Sequence, residues 1–270
     1  MNKKVVVFYN WIGGINGALI DAFEYFIAIL ESEPVYFLII NCYPLQLMKF
    51  IEVFENRYDL DDLNWKDHII LMENISSLIK HNFEVALVVD YSTIFKTKGL
   101  LRADKIIVLS DLHTDKKDFM YDKNKQNVIY YGEMPFVYKD HEYKHKFLFN
   151  RFKKLGEVKS GIYFNAPYNG FKKVKYPVPE NKTIIYKYDR HEKNLFEKFD
   201  TYLYYHTDWF DPHPRLFHEC WYYEKEIIYH NPDNIKDGSW YRYREVERSD
   251  WKELHGRFFS EDDEVIKEFL

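Results

Sequence analysis

At 270 residues, with 30% charged and 46% hydrophobic residues, the chain has room for one large domain or two of ordinary size, and its balance is that of a soluble globular protein. A formal net charge of −5 excludes non-specific nucleic-acid binding by the chain as a whole, because phosphate neutralisation would need a local basic patch. Cys42 and Cys220, far apart and without CxxC spacing, exclude a disulfide framework and fit a reduced, cytoplasmic protein.

Residues 3–9 are a continuous β-branched and aromatic run, expected to form a first strand buried on both faces. The run breaks at Asn10, too early for the apolar core of a signal peptide, and no stretch reaches transmembrane length, so no integral membrane contact is expected. A glycine-rich turn follows, Asn10-Trp11-Ile12-Gly13-Gly14-Ile15-Asn16-Gly17, and then a helix with Leu19, Ala22, Phe23, Phe26, Ile27 and Leu30 at three- and four-residue spacing. Pro34 stops that helix, and residues 35–40 give a second buried strand.

The alternation continues with a helix at 45–56, a strand at 68–72, a helix at 75–81, and strands at 85–90, 105–109 and 127–131. Strands alternating with helices predict a parallel α/β sheet. Residues 139–160 turn basic and aromatic, and we place a junction there, dividing the chain into domains 1–145 and 146–270. A second alternating series has strands at 161–164 and 183–186, a helix near 192–199, and strands at 202–206 and 226–230. A terminal helix covers 261–270. The expected architecture is two small Rossmann-like domains facing one another.

The candidate chemistry lies at strand ends. Glycines at 13, 14 and 17 let backbone approach a ligand, and the helix N-terminus that follows favours an anion; a tight turn capped by Asn16 is the plain alternative. The spacing is not G-x-G-x-x-G, and no P-loop occurs. Asp21 and Glu24 fall on the polar side of the first helix, where they would favour the positive end of its dipole. Asp90 ends one strand and Asp111 follows another, and ligands of open α/β sheets gather at such carboxyl ends. Asp21, Asp90 and Asp111 are therefore all candidates for the base that takes a proton from an acceptor hydroxyl, though each taken alone reads more readily as a cap or turn residue.

In the second half, Lys187 and Arg190 follow a strand and are placed to meet a diphosphate or to form a solvated loop. Pro214-Arg215-Leu216-Phe217-His218-Glu219-Cys220 reads as a helix start after a strand. Arg215 and Glu219 share one helical face there, as a ligand-binding pair or as an ordinary surface pair. His213 and His218 are five apart and off one helical face, so they make no metal pair, and G-x-S-x-G is absent. A basic stretch, Lys139, Lys144, Lys146, Arg151, Lys153, Lys154 and Lys159 with Lys172, Lys173 and Lys175, is either a nucleic-acid patch or a solvated face.

The turn at Gly13-Gly14-Ile15-Asn16-Gly17, the segment Pro214–Cys220 leading into Ile227-Ile228-Tyr229, and the terminal helix together resemble the glycosyltransferases of the GT-B fold. Among these, the small size and Lys-, Asn- and Tyr-rich composition are similar to phage enzymes that glycosylate modified bases in DNA. The resemblance implies an N-terminal acceptor domain and a C-terminal domain for a nucleotide-sugar donor, usually UDP-linked, with the last helix returning to the first domain. It implies that Glu219 holds the donor ribose, that Arg215 meets the diphosphate or sugar, and that Gly13, Gly14 and Gly17 approach the donor. No cofactor or metal is expected beyond the UDP-sugar co-substrate, and double-stranded DNA is a possible acceptor through the basic stretch. Asp211 stands where retaining members carry the first Glu of E-x7-E, so retention and inversion both stay open. A cell-surface glycan or lipid carrier is the alternative acceptor, and a non-enzymatic nucleotide- or nucleic-acid-binding module the alternative function. The expected location is the cytoplasm, that of the host for a phage-encoded protein.

Overall fold

A computed structural model describes residues 3–11, 13–110, 121–132, 140–143, 145–164, 180–181, 184–186, 193–205, 215–230, 259 and 263–270. The chain divides into two compact units. Unit 1 comprises Met1–Glu55, Asp59–Arg151 and Gly256–Leu270; unit 2 comprises Asn56–Tyr58 and Phe152–His255. The last segment of the chain thus belongs with the first unit.

Unit 1 is built on a seven-stranded sheet: β1 (Lys3–Tyr9), β2 (Tyr36–Ile40), β3 (Ile69–Met72), β4 (Phe83–Val89), β5 (Ala103–Ser110), β6 (Val128–Gly132) and the short β7 (His141–Glu142). Their order is β3-β2-β1-β4-β5-β6-β7, and every neighbouring pair is parallel. Val5, Val6, Val7 and Phe8 are buried on both faces, which is why the middle of β1, after Lys3 and Lys4, is uniformly apolar.

Helices cover both faces. α1 (Gly17–Leu30) lays Phe23 against Phe37 of β2, with Phe23 also stacked on Phe54 of α2 (Pro44–Arg57). On the opposite face, Val5, Val7, Leu38, Ile40, Ala86 and Val88 pack with Ile94 of α3 (Tyr91–Thr97) and with Leu78 and Leu101. The expected helix at 75–81 is a 3-10 helix, Ile75–Lys80, started by Asn74, whose side chain accepts from Ser76 N.

Near the chain end, α5 (Glu264–Phe269) packs on α1, β4 and β5 of the same unit. Asp263 caps it by accepting from Val265 N and Ile266 N at 3.0 and 3.1 Å. Lys4 Nζ donates to the carbonyl of Leu270 at 2.8 Å, and Lys105 pairs with Glu268 at 2.7 Å.

Unit 2 holds a four-stranded parallel sheet of β8 (Ile162–Phe164), β9 (Ile184–Tyr186), β10 (Thr201–Tyr205) and β11 (Glu226–His230), ordered β11-β10-β8-β9. Its core joins Tyr163, Phe199, Tyr202, Leu216, Phe217 and Cys220. The expected helix near 192–199 is a 3-10 turn, Leu195–Glu197. α4 (Arg215–Tyr222) connects β10 to β11. The two parallel α/β sheets agree with the expected fold class. No helix among the described residues is long and apolar enough to cross a membrane.

Candidate functional site

In an open parallel sheet a ligand crevice forms where the strand order reverses, because the crossovers on either side leave toward opposite faces. In unit 1 that reversal lies between β1 and β4. The chain leaves β1 toward β2 through α1 and leaves β4 toward β5 through α3. The candidate site is therefore the carboxyl edge formed by residues 10, 11, 13–17 and 90–93.

This edge is tied together by side-chain amides. Asn10, with 0% exposure, donates its backbone N–H to Ile40 O at 2.9 Å and its side-chain Nδ2 to Asn41 O at 3.3 Å. Asn41 Nδ2 returns a bond to Asn10 O at 2.8 Å. On the other side, Tyr9 N donates to the hydroxyl of buried Thr93 in α3 at 3.0 Å. Gln46 joins two loops, donating to Gly13 O at 2.9 Å while accepting from Tyr43 N at 2.9 Å.

The three glycines differ in what requires them. Gly13 has φ +70°, and a side chain there would press on Gln46 Nε2 at 3.3 Å, so the turn itself needs a glycine. Gly14 and Gly17 have negative φ, and an added Cβ would meet nothing within 4 Å. Packing does not demand these two; the open space before them is what a ligand approaching backbone N–H groups would use. Asn16 caps α1 in extended conformation, its Oδ1 accepting from Leu19 N at 2.8 Å.

Asp90 sits on the same edge with φ +78°, a conformation that costs an aspartate free energy and that recurs at functional turns. Its carboxylate caps α3 through Ser92 N at 3.0 Å. Asp21 does not lie on the polar face that the sequence led us to expect. Asp21 and Glu24 are both buried, and Asp21 Oδ1 lies 3.3 Å from His145 Nε2. The cause is the segment after β7, which covers this side of α1 with Tyr143, His145 and Phe147, all buried. Beside it, Tyr25 Oη donates to Tyr143 Oη at 2.6 Å, and Tyr143 donates to Asp263 at 2.9 Å.

Burial, followed for each by the Asp263 carboxylate or the neighbouring phenol, holds both hydroxyls well above the usual tyrosine range. Asp21, Glu24 and His145 bring two carboxylates and an imidazole within 4.8 Å, the one such grouping with a metal-ligand character among the described residues. We assign it to packing, since it joins α1 to His145 beside the Tyr143–Asp263 link to α5.

In unit 2 the strand order reverses between β8 and β10, and α4 opens directly after β10. Arg215 and Glu219 are brought together there, Nη1 to Oε1 at 3.1 Å, but both are buried, which corrects the surface-pair reading. A third partner, Arg57, donates to the same Glu219 oxygen. Two guanidiniums thus converge on one carboxylate oxygen. Arg57 lies far away in sequence and carries no motif, so only the fold reveals it. Asp111, Lys187 and Arg190 lie outside the described residues.

The structure therefore brings Gly13, Gly14, Gly17 and Asp90 to one edge of unit 1 and Arg215 with Glu219 to α4 of unit 2, while Asp21 belongs to the buried cluster. Asn10 and His145 were not singled out by sequence, although Asn10 is the polar break after β1 and His145 closes the H-E-x-x-H run that begins at His141; His141 and Glu142 lie in β7 and not on a helix, so the run does not form the helical metal pair of that motif. Comparisons with protein-family models, curated proteins and solved structures find no match for this chain.

Proposed function

We propose that the chain is a glycosyltransferase that moves a sugar from a nucleoside-diphosphate donor, UDP-linked in the first instance, to a hydroxyl acceptor. The observation that carries the reading is the presence in one chain of two parallel α/β sheets, each reversing strand order beside its first strand, with the final helix packed into the first unit. Each reversal is a place for a ligand, and transfer chemistry needs two. The finer arrangement, domains facing across a cleft with the donor held by the second, is part of the proposal.

In such a reaction the acceptor oxygen forms a bond to the anomeric carbon while the bond from that carbon to the diphosphate oxygen breaks. The acceptor proton passes to a base, and the leaving diphosphate is stabilised by cationic and backbone donors. Of the three candidate carboxylates, Asp90 is the one at the carboxyl edge of the described sheet, and we assign it the base if transfer inverts. Arg57 and Arg215, both bonded to Glu219, are cationic donors of the kind that an anionic leaving group at α4 would need.

For the acceptor, a hydroxymethylated base in DNA is the first choice. Its support is reduced at Arg151, whose guanidinium is committed to Glu31 at 2.6 Å and Asp62 at 2.7 Å, leaving Lys153, Lys154 and Lys159 exposed in that stretch. The burial of Arg215 and Glu219 favours a second reading, in which that cluster is structural and the chain binds a nucleotide without transferring sugar.

A thermal-shift screen of nucleoside diphosphates tests the shared premise, because a ligand bound only by the folded state raises Tm by mass action. Selective stabilisation by UDP is the expected result. Stabilisation by no nucleotide would remove both readings.

A further inference from the structure

We infer that Asn10 and Asn16 are a ligand-recognition pair flanking the Gly13-Gly14 turn, Asn10 accepting a hydroxyl and Asn16 donating to a phosphate oxygen, so that this edge binds a glycosyl phosphate. The inference deepens the glycosyltransferase reading, and rests on it for the source of that ligand as part of a nucleotide sugar.

The argument is an accounting of hydrogen bonds. Asn10 is fully buried at the end of β1. Its N–H is taken by Ile40 O, its carbonyl by Asn41 Nδ2 and its own Nδ2 by Asn41 O. Because Nδ2 is committed to a carbonyl, the orientation of the amide is determined, and Oδ1 is the acceptor left over. No donor among the described residues reaches it. A buried polar atom left without a partner costs about 1–3 kcal/mol, and such atoms are rare unless something else meets them.

Asn16 presents the converse. Its carbonyl accepts from Ile20 N and its Oδ1 from Leu19 N, which leaves a buried Nδ2 donor with no acceptor among the described residues. The two residues thus ask for complementary groups. Asn16 stands at the N-terminus of a fourteen-residue helix, where the dipole favours negative charge, so its acceptor is the anionic one. Asn10 lies on the sheet side of the turn, where a neutral hydroxyl satisfies it without a buried charge. Between them, Gly14 leaves open space, and Trp11, 54% exposed, stands at the start of the same turn as an apolar face for a sugar ring.

Isothermal titration with UDP-glucose, glucose 1-phosphate and inorganic phosphate tests the pair on the full chain, with Tm of each variant recorded first. Asn16→Ser keeps a capping oxygen and hence the fold, while removing the amide Nδ2 donor and leaving only a shorter hydroxyl at the cap. Asn10→Ala removes the free acceptor. Expected are wild-type binding of UDP-glucose and of glucose 1-phosphate, tighter than inorganic phosphate, and about tenfold or greater weakening in Asn16→Ser at unchanged Tm, the effect of one hydrogen bond to a charged group. UDP-glucose bound equally well by wild type and Asn16→Ser overturns the pair and leaves the glycosyltransferase reading standing. Glucose 1-phosphate bound through Asn16 without any UDP-glucose binding supports the pair and sinks that reading. Inorganic phosphate bound as tightly as glucose 1-phosphate, or Asn10→Ala binding as wild type, overturns the hydroxyl assignment. Binding of neither sugar ligand overturns both.

Discussion

Asn41 donates its side-chain amide to the carbonyl of Asn10 at 2.8 Å and accepts the Asn10 amide on its own carbonyl at 3.3 Å. This reciprocal pair locks the ends of β1 and β2 where the strand order is about to reverse, and it holds Asn41 at φ +59°. Asn41→Gly loses the amide but tolerates the backbone, whereas Asn41→Ala loses both. We expect Asn41→Gly to cost about 1 kcal/mol from the lost hydrogen bond, and Asn41→Ala about 1–2 kcal/mol more from the left-handed conformation. Urea denaturation of the two variants gives the difference; equal costs would mean that the backbone is not held at positive φ.

Gly14 and Gly17 have no packing reason to be glycine. Gly17→Ala should fold at least as well as wild type, gaining up to about 0.5 kcal/mol from reduced chain entropy in the unfolded state. If the open space belongs to a ligand, Gly14→Ala and Gly17→Ala should keep Tm and weaken UDP-sugar binding together. Unchanged affinity in both would return the turn to a purely structural role.

Glu219 is the most costly residue to neutralise in unit 2. Glu219→Gln takes from Arg57 and Arg215 the buried carboxylate they share, and removal of one partner from such a group costs about 3–5 kcal/mol. Arg57→Met should cost less, because Arg215 still neutralises the carboxylate. Denaturant midpoints monitored by tryptophan fluorescence rank the two, and the reverse order would contradict the shared carboxylate. Any loss of donor binding in Glu219 variants has to be read against this loss of stability.

Alkaline pH should destabilise unit 1 once it passes the ordinary tyrosine range. Burial pushes Tyr130 and Tyr131 up to about 12, and Tyr25 and Tyr143 well above their ordinary value. A group with a raised folded pKa contributes stability that is complete below the unfolded value, about 10 for tyrosine, and lost as pH climbs toward the folded one. Stability should therefore fall between about pH 10 and 12. The tyrosinate absorbance rise should coincide with loss of the far-ultraviolet dichroism. A rise of the full tyrosine complement before any loss of structure would contradict the burial.

The sheet of unit 1 was legible because a parallel strand is an apolar run, and Val5-Val6-Val7-Phe8 and Val85-Ala86-Leu87-Val88-Val89 announce themselves. The cap at Asn16 was legible for the same local reason, as a short polar side chain before a periodic helix. The burial of Asp21 and Glu24 was not, because it depends on residues 143–147, and the periodicity of α1 carries no information about what will cover its second face. Arg57 illustrates the same limit: a basic residue in the last turn of α2 favours the helix dipole wherever it points, and only tertiary structure turns it onto Glu219.

The most direct test of the glycosyltransferase reading is acceptor-dependent release of UDP. The purified chain is incubated with UDP-glucose and other UDP-sugars, with and without hydroxymethylated duplex DNA, and free UDP and labelled DNA are quantified. The account predicts UDP release coupled one-to-one to sugar on the acceptor, abolished in Asp90→Asn at unchanged Tm. UDP-sugars that bind tightly but are never turned over, with any hydroxyl acceptor supplied, would contradict it.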